Sequence, residues 1–256
     1  MSVALRVTEI TKRIGGLQIL DQVSMTVSAG ERRALIGPNG AGKTTLLNII
    51  AGFLRPSRGT IELFGVDVTK LPPHRRVQHG LLKTNQLPGV FPDLSVRSNL
   101  QLALLRERHA SMGFHVLPRR DGYLRDRVEQ VLELWGLQDV ADREVRHLPH
   151  GYQRMVELAM RMSRQPRVLL LDEPAAGLTE AEVAVLAERL SQLPRELTVV
   201  IVEHKMRLIF AFADRITVLH HGAVIAEGTP EEIRSDPQTR AAYLGGAVRN
   251  VHADHS

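Results

Sequence analysis

The chain has 256 residues, 43% hydrophobic and 24% charged, which excludes a disordered or fibrous protein and supplies enough apolar material for a sizeable core. Its formal charge of +5 comes from 33 basic residues, mostly Arg, set among acids as in Arg125-Asp126-Arg127 and Asp142-Arg143-Glu144; such mixing predicts a solvated surface and no nucleic-acid stripe. Cysteine is absent, so disulfides, zinc-thiolate sites and thiol catalysis are excluded. No apolar run approaches the roughly 18 residues that span a bilayer. Met1 to Arg6 lacks the basic head and apolar core of a signal peptide, so no export is expected.

The elements read in chain order as follows. Val3, Leu5 and Val7 alternate, as do Val23, Met25 and Val27 beyond a Gly15-Gly16 turn, and predict half-buried antiparallel strands. Ala34-Leu35-Ile36 forms a short strand entering a glycine-rich loop, and Thr44 to Ala51 predicts a helix closed by Gly52. Thr60 to Phe64 reads as another strand, ended by Gly65.

From about Val96 to Gln165 the spacing becomes helical, with Leu100, Leu104 and Leu105 on one face and Val128, Val131, Leu132 and Trp135 on another. Val168 to Leu171 is a continuous apolar run, as expected of a parallel strand covered on both faces. A helix from Ala181 to Leu193, a buried strand from Thr198 to Val202 and a helix from Met206 to Phe212 complete an alternation that predicts a parallel α/β sheet. One domain is expected over 1–248, with a helical part at about 96–165, and 249–256 reads as a frayed tail.

Gly37-Pro38-Asn39-Gly40-Ala41-Gly42-Lys43-Thr44-Thr45 satisfies G-x-x-x-x-G-K-[ST] between a predicted strand and a predicted helix. Glycines allow successive backbone amides to face phosphate oxygens, the helix N-terminus adds its dipole, lysine reaches the outer phosphates and the threonine hydroxyl ligates magnesium. Asp172-Glu173 ends the apolar strand at the edge where α/β sheets bind ligands. Asp172 is the candidate magnesium ligand, and Glu173 the candidate general base for the attacking water.

With these residues in place the chain resembles the ATP-binding cassette (ABC) ATPase family over nearly its whole length. Gln86 follows Leu81-Leu82-Lys83-Thr84-Asn85 at the family's Q-loop position, where its amide is expected to touch magnesium or the attacking water. Leu148-Pro149-His150-Gly151-Tyr152-Gln153-Arg154 occupies the signature position, Ala175-Ala176-Gly177-Leu178 looks like the D-loop, and His204 like the switch histidine that donates to the γ-phosphate.

The resemblance implies a P-loop ABC ATPase fold of the α/β class: a mainly parallel core sheet, an N-terminal antiparallel β subdomain and a helical subdomain. It also implies ATP and Mg2+ as cofactors and a head-to-tail dimer in which Gly151 of one subunit meets the nucleotide on the other. Two positions depart from the family pattern. Pro149 stands where a serine hydroxyl is usual, and Ile14 where an aromatic ring stacks on adenine.

Within the family the chain looks most like ATPase subunits of branched-chain amino acid importers and their urea or short-amide relatives. Lys83-Thr84-Asn85-Gln86, Phe91-Pro92-Asp93-Leu94-Ser95-Val96, Glu203-His204-Lys205-Met206 and the segment from Glu227-Gly228-Thr229-Pro230 to Ala242-Tyr243-Leu244-Gly245 carry that likeness. The expected partners are integral membrane permease subunits, a second ATPase subunit (itself or a related chain) and, indirectly, a solute-binding protein. The expected location is the cytoplasmic face of the inner membrane. A non-transport ABC ATPase acting on nucleic acid or ribosomes would call for tandem cassettes, a coiled-coil insertion or a basic arm, and a small-molecule kinase would have no use for the signature segment.

Overall fold

The structure, a computed structural model, describes residues 2–84, 89–111 and 121–242. It divides into two compact units: one of the chain up to Lys83, Arg167–Pro174 and the residues from Leu193, the other of Thr84–Pro166 and Ala175–Gln192.

The first unit opens with β1 (Val3–Ile14) and β2 (Leu17–Ser28), paired antiparallel with Ile14 opposite Leu17. Gly15 and Gly16 form the two-residue turn with φ of 53° and 85°, the left-handed pair that matches strand twist in a tight hairpin. Val23, Met25 and Val27 are buried as the alternation predicts, while β1 buries Ala4 beside Leu5 because the register shifts between Val3 and Leu5. Next come β3 (Arg32–Ile36), α1 (Lys43–Ala51), β4 (Arg58–Leu63), β5 (Val66–Asp67), α2 (Pro73–Gln78) and β6 (Leu81–Lys83). Gly52, with φ 85°, ends α1 as expected.

The second unit contributes α3 (Val96–Ser111), α4 (Asp121–Trp135) and α5 (His150–Met162). Leu100, Leu104, Val128, Leu132 and Trp135 are buried, so the helical stripes face a core. The chain then gives β7 (Val168–Asp172) to the first unit and α6 (Glu180–Ser191) to the second, and returns to the first for β8 (Thr198–Val202), α7 (Met206–Phe212), β9 (Arg215–His220), β10 (Ala223–Gly228) and α8 (Pro230–Ser235).

Two sheets build the first unit: an antiparallel one ordered β2-β1-β4-β5 and a six-stranded one ordered β10-β9-β3-β8-β7-β6, parallel except for β9–β10. This is the expected α/β arrangement. Every residue of β3, β7 and β8 is buried, which is what strands covered on both faces require. Among the described residues, no helix is long and apolar enough to cross a membrane.

Composition does not show that Arg32, Arg33, Arg76 and Arg154 are buried, each among fixed acceptors. Arg33 bonds Glu31, Glu227, Thr217 and the Thr26 carbonyl. Arg76 donates to the carbonyls of Ile49 and Ile50 at the C-terminus of α1, and to those of Leu71 and Thr69. Burial holds the Arg76 guanidinium down at about 10, and its charge sits at the negative end of the helix dipole.

Candidate functional site

The parallel strands deliver the chemistry to one edge. The glycine loop follows β3, and Gly42 is the N-cap of α1 with φ 100°. A Cβ on Gly42 would lie 2.6 Å from Leu20 Cδ2 and 3.0 Å from the Ile19 carbonyl oxygen, so only glycine lets the loop close against β2. Lys43 is 5% exposed, and its Nζ donates to the Gly37 and Pro38 carbonyls at 2.8 and 2.9 Å, folding the ammonium back over its own loop. Burial pulls the Lys43 pKa below the ordinary lysine value, and the charges of Glu173 and Asp172 oppose that shift.

At the end of β7, Asp172 is 1% exposed. The Thr44 hydroxyl donates to its Oδ1 at 3.3 Å, and the Lys83 ammonium, from the end of β6, donates to its Oδ2 at 3.0 Å. Glu173 adopts a left-handed φ of 48°, its amide donates to the Val202 carbonyl at 2.9 Å, and its Oε1 lies 3.2 Å from His204 Nε2. The buried Glu203 carboxylate accepts from the amides of His204 and Lys205 at 2.9 and 3.2 Å, which pins the turn carrying the imidazole.

Thus Gly37, Pro38, Asn39, Gly40, Ala41, Gly42, Lys43, Thr44, Thr45, Asp172, Glu173 and His204 all belong to the first unit. Ile14 and Leu17 lie at the hairpin tip, 51% and 67% exposed, on the strand pair whose Ile19 and Leu20 abut Gly42.

Gly151 lies in the second unit, in the first turn of α5. Pro149 is the N-cap of that helix and offers no side-chain cap; instead the Gly151 amide donates to Glu182 Oε1 at 3.1 Å. Glu182 also closes a capping box with Thr179 on α6. Hydrogen bonds from Thr179 first, then from the Gly151 amide, hold its carboxyl below the usual range. Gln86 and the segment from Tyr243 lie outside the described residues.

Sequence reasoning missed Lys83, Glu203 and Glu182. The Thr179-x-x-Glu182 spacing was a readable capping signal, whereas nothing local marks Lys83.

A profile described as ABC transporter matches residues 20–176, more than half of the chain. The chain belongs to the ABC transporter family. A second profile, described as branched-chain amino acid ATP-binding cassette transporter, matches 223–249 of this cassette. The high-affinity branched-chain amino acid transport ATP-binding protein BraF of Pseudomonas aeruginosa is 37% identical over 95% of the cassette and 98% of its own length. LivG of Escherichia coli, which carries the same description, is 37% identical over the same shares. Among solved structures, an ATP-binding cassette of an ABC transporter in its ADP conformation superposes with TM-score 0.80 and 27% identity, covering 96% of this cassette and 100% of that chain. Cassettes of this family bind and hydrolyse ATP, so this chain is an ATPase.

Proposed function

We propose that this cassette is the ATP-hydrolysing subunit of an importer for branched-chain amino acids, docked on the cytoplasmic face of the membrane through permease subunits. One observation carries the solute class: the full-length likeness to BraF and LivG, joined by the C-terminal match over 223–249. A second ATPase subunit and a solute-binding protein complete the proposed assembly.

The site geometry supports the following division of labour. The loop Gly37–Thr45 and the Lys43 ammonium bind the phosphates. The Thr44 hydroxyl and the Asp172 carboxylate, joined by their 3.3 Å hydrogen bond, are hard oxygen donors suited to Mg2+, which proteins commonly hold with one or two ligands plus substrate phosphates. When bound, that ion would neutralise and orient the phosphate oxygens. Glu173 takes a proton from the water that attacks the γ-phosphorus, the bond to the β,γ-bridging oxygen breaks, and ADP leaves with its electron pair. His204 positions Glu173 and donates to the γ-phosphate, Gln86 reports nucleotide state toward the permease, and Gly151 of a second subunit closes the far side of the nucleotide.

The test uses cells lacking this chain, complemented with the wild type or with Glu173→Gln, and assayed for uptake of labelled leucine, isoleucine and valine. Uptake lost in the deletion, restored by the wild type and not by the variant is expected. Unchanged uptake in the deletion would overturn the solute class while leaving the ATPase activity intact.

A further inference from the structure

Lys83 has no part in the scheme above, yet it neutralises the most deeply buried acid of the site. The parallel register sets Lys83 opposite Leu170, so Asp172 lies two residues further along the neighbouring strand, at the same edge of the sheet. The Lys83 and Asp172 side chains are 7% and 1% exposed, and their 3.0 Å contact is an ion pair in surroundings that water screens poorly. A buried carboxylate needs such a partner, since an uncompensated charge there is strongly destabilising. The Thr44 hydroxyl takes the other carboxylate oxygen, so both oxygens of Asp172 are held in place.

A divalent cation bound by Thr44 and Asp172 would bring two further positive charges to the same carboxylate. The ammonium and the cation repel each other, and one carboxylate cannot keep both at full strength. We propose that Lys83 is an internal counter-ion of Asp172 with which the divalent cation competes, so that Lys83 sets the cation dependence of nucleotide binding. This rests on the reading of Asp172 as a cation ligand. Lys83 acts through Asp172 and is a positioning residue: it pairs with the acid and keeps it aimed until the cation takes over its neutralisation.

The test measures Mn2+ binding to the full chain saturated with ADP, which excludes turnover, from the loss of the free-Mn2+ electron paramagnetic resonance signal. Lys83→Met should lower the half-saturating Mn2+ concentration about tenfold, because a competing charge is gone. Lys83→Arg should stay within about twofold of wild type, since the charge is retained. Asp172→Asn should raise the concentration at least about tenfold. In the absence of nucleotide and divalent cation, Lys83→Met should melt below the wild type and gain more on adding Mn2+ and ADP; if it does not fold, Lys83→Gln takes its place in both measurements. Mn2+ binding by Lys83→Met or Lys83→Gln that is no tighter than wild type, with Asp172→Asn impaired, overturns the counter-ion role alone. Unimpaired binding by Asp172→Asn overturns the cation reading beneath it.

Discussion

Replacing Glu173 with glutamine separates chemistry from architecture. The side chain keeps its length, and glutamine tolerates the left-handed φ of 48° about as well as glutamate. The backbone bond from residue 173 to Val202 survives, and an amide oxygen still accepts from His204 Nε2, where the present contact is 3.2 Å. Both partners are about one-third exposed, at 31% and 36%, so weakening that contact should cost below about 1 kcal/mol of stability. What disappears is the proposed general base, and such a group contributes roughly 10²- to 10⁴-fold, or about 2.7–5.5 kcal/mol of barrier. Steady-state phosphate release with Mg-ATP should therefore fall by at least about a hundredfold. Titration with a fluorescent ATP analogue and the urea midpoint should barely move. Turnover within about twofold of wild type would remove Glu173 from the base role, and a collapsed urea midpoint would mean that Glu173 is chiefly structural.

Gly42→Ala should abolish nucleotide binding and lower the melting temperature, since the new Cβ meets Leu20 Cδ2 at 2.6 Å in a φ of 100°; a thermal melt and calorimetric ATP titration check both. Ile14→Tyr should tighten ATP by about 0.5–1.5 kcal/mol through ring stacking, and wild-type ATP and GTP affinities should agree within about tenfold, because the exposed Ile14 and Leu17 offer the base only aliphatic contact; a wild-type preference for ATP far above that, with no gain from tyrosine, would show that the base is read elsewhere. Glu182→Gln should increase the ATP-dependent dimer fraction seen by light scattering in a Glu173→Gln background, because it removes a negative charge from the Gly151 amide while an amide oxygen can keep the Thr179 cap; an unchanged fraction would show that Glu182 does not compete with the nucleotide.

What could be read from the sequence is what local rules govern. The strand Thr198–Val202 and the helix Met206–Phe212 match their expected bounds, because an apolar run and a helical stripe are each complete within a few residues. The glycine loop and Asp172-Glu173 were legible for the same reason: their chemistry is contiguous. β6 has three residues, too few for any periodicity, so Lys83 could not be recognised as an edge residue. The hairpin of β9 and β10 went unread although Ile216, Val218 and Leu219 are apolar, and α8 went unread although Thr229-Pro230-Glu231-Glu232 spells a capped start. The buried arginines depend on acceptors far along the chain, as Arg33 and Glu227 do across 194 positions, and no local pattern carries that information.

Two adjacent carboxylates at one strand end repel each other, and the fold gives them different neighbours. Strand order β6-β7-β8 puts Lys83 on one side of β7 and the turn carrying His204 on the other. Asp172 still has strand geometry and pairs with Val202, and its side chain meets Lys83 from β6 and Thr44 from α1. At Glu173 the backbone turns left-handed, which carries the next side chain to His204 just past β8. The two acids thereby acquire different environments: Asp172 is sealed and held at both oxygens, whereas Glu173 is partly open to solvent beside an imidazole. A sealed, oriented carboxylate suits holding charge, and a solvent-accessible one suits exchanging protons with water. The division depends on register: a one-residue slip of β7 would send Asp172 into the core side of the sheet and leave Lys83 facing Leu171. The apolar run Val168–Leu171 has no catalytic atom, yet its burial is what keeps the two carboxylates in separate roles.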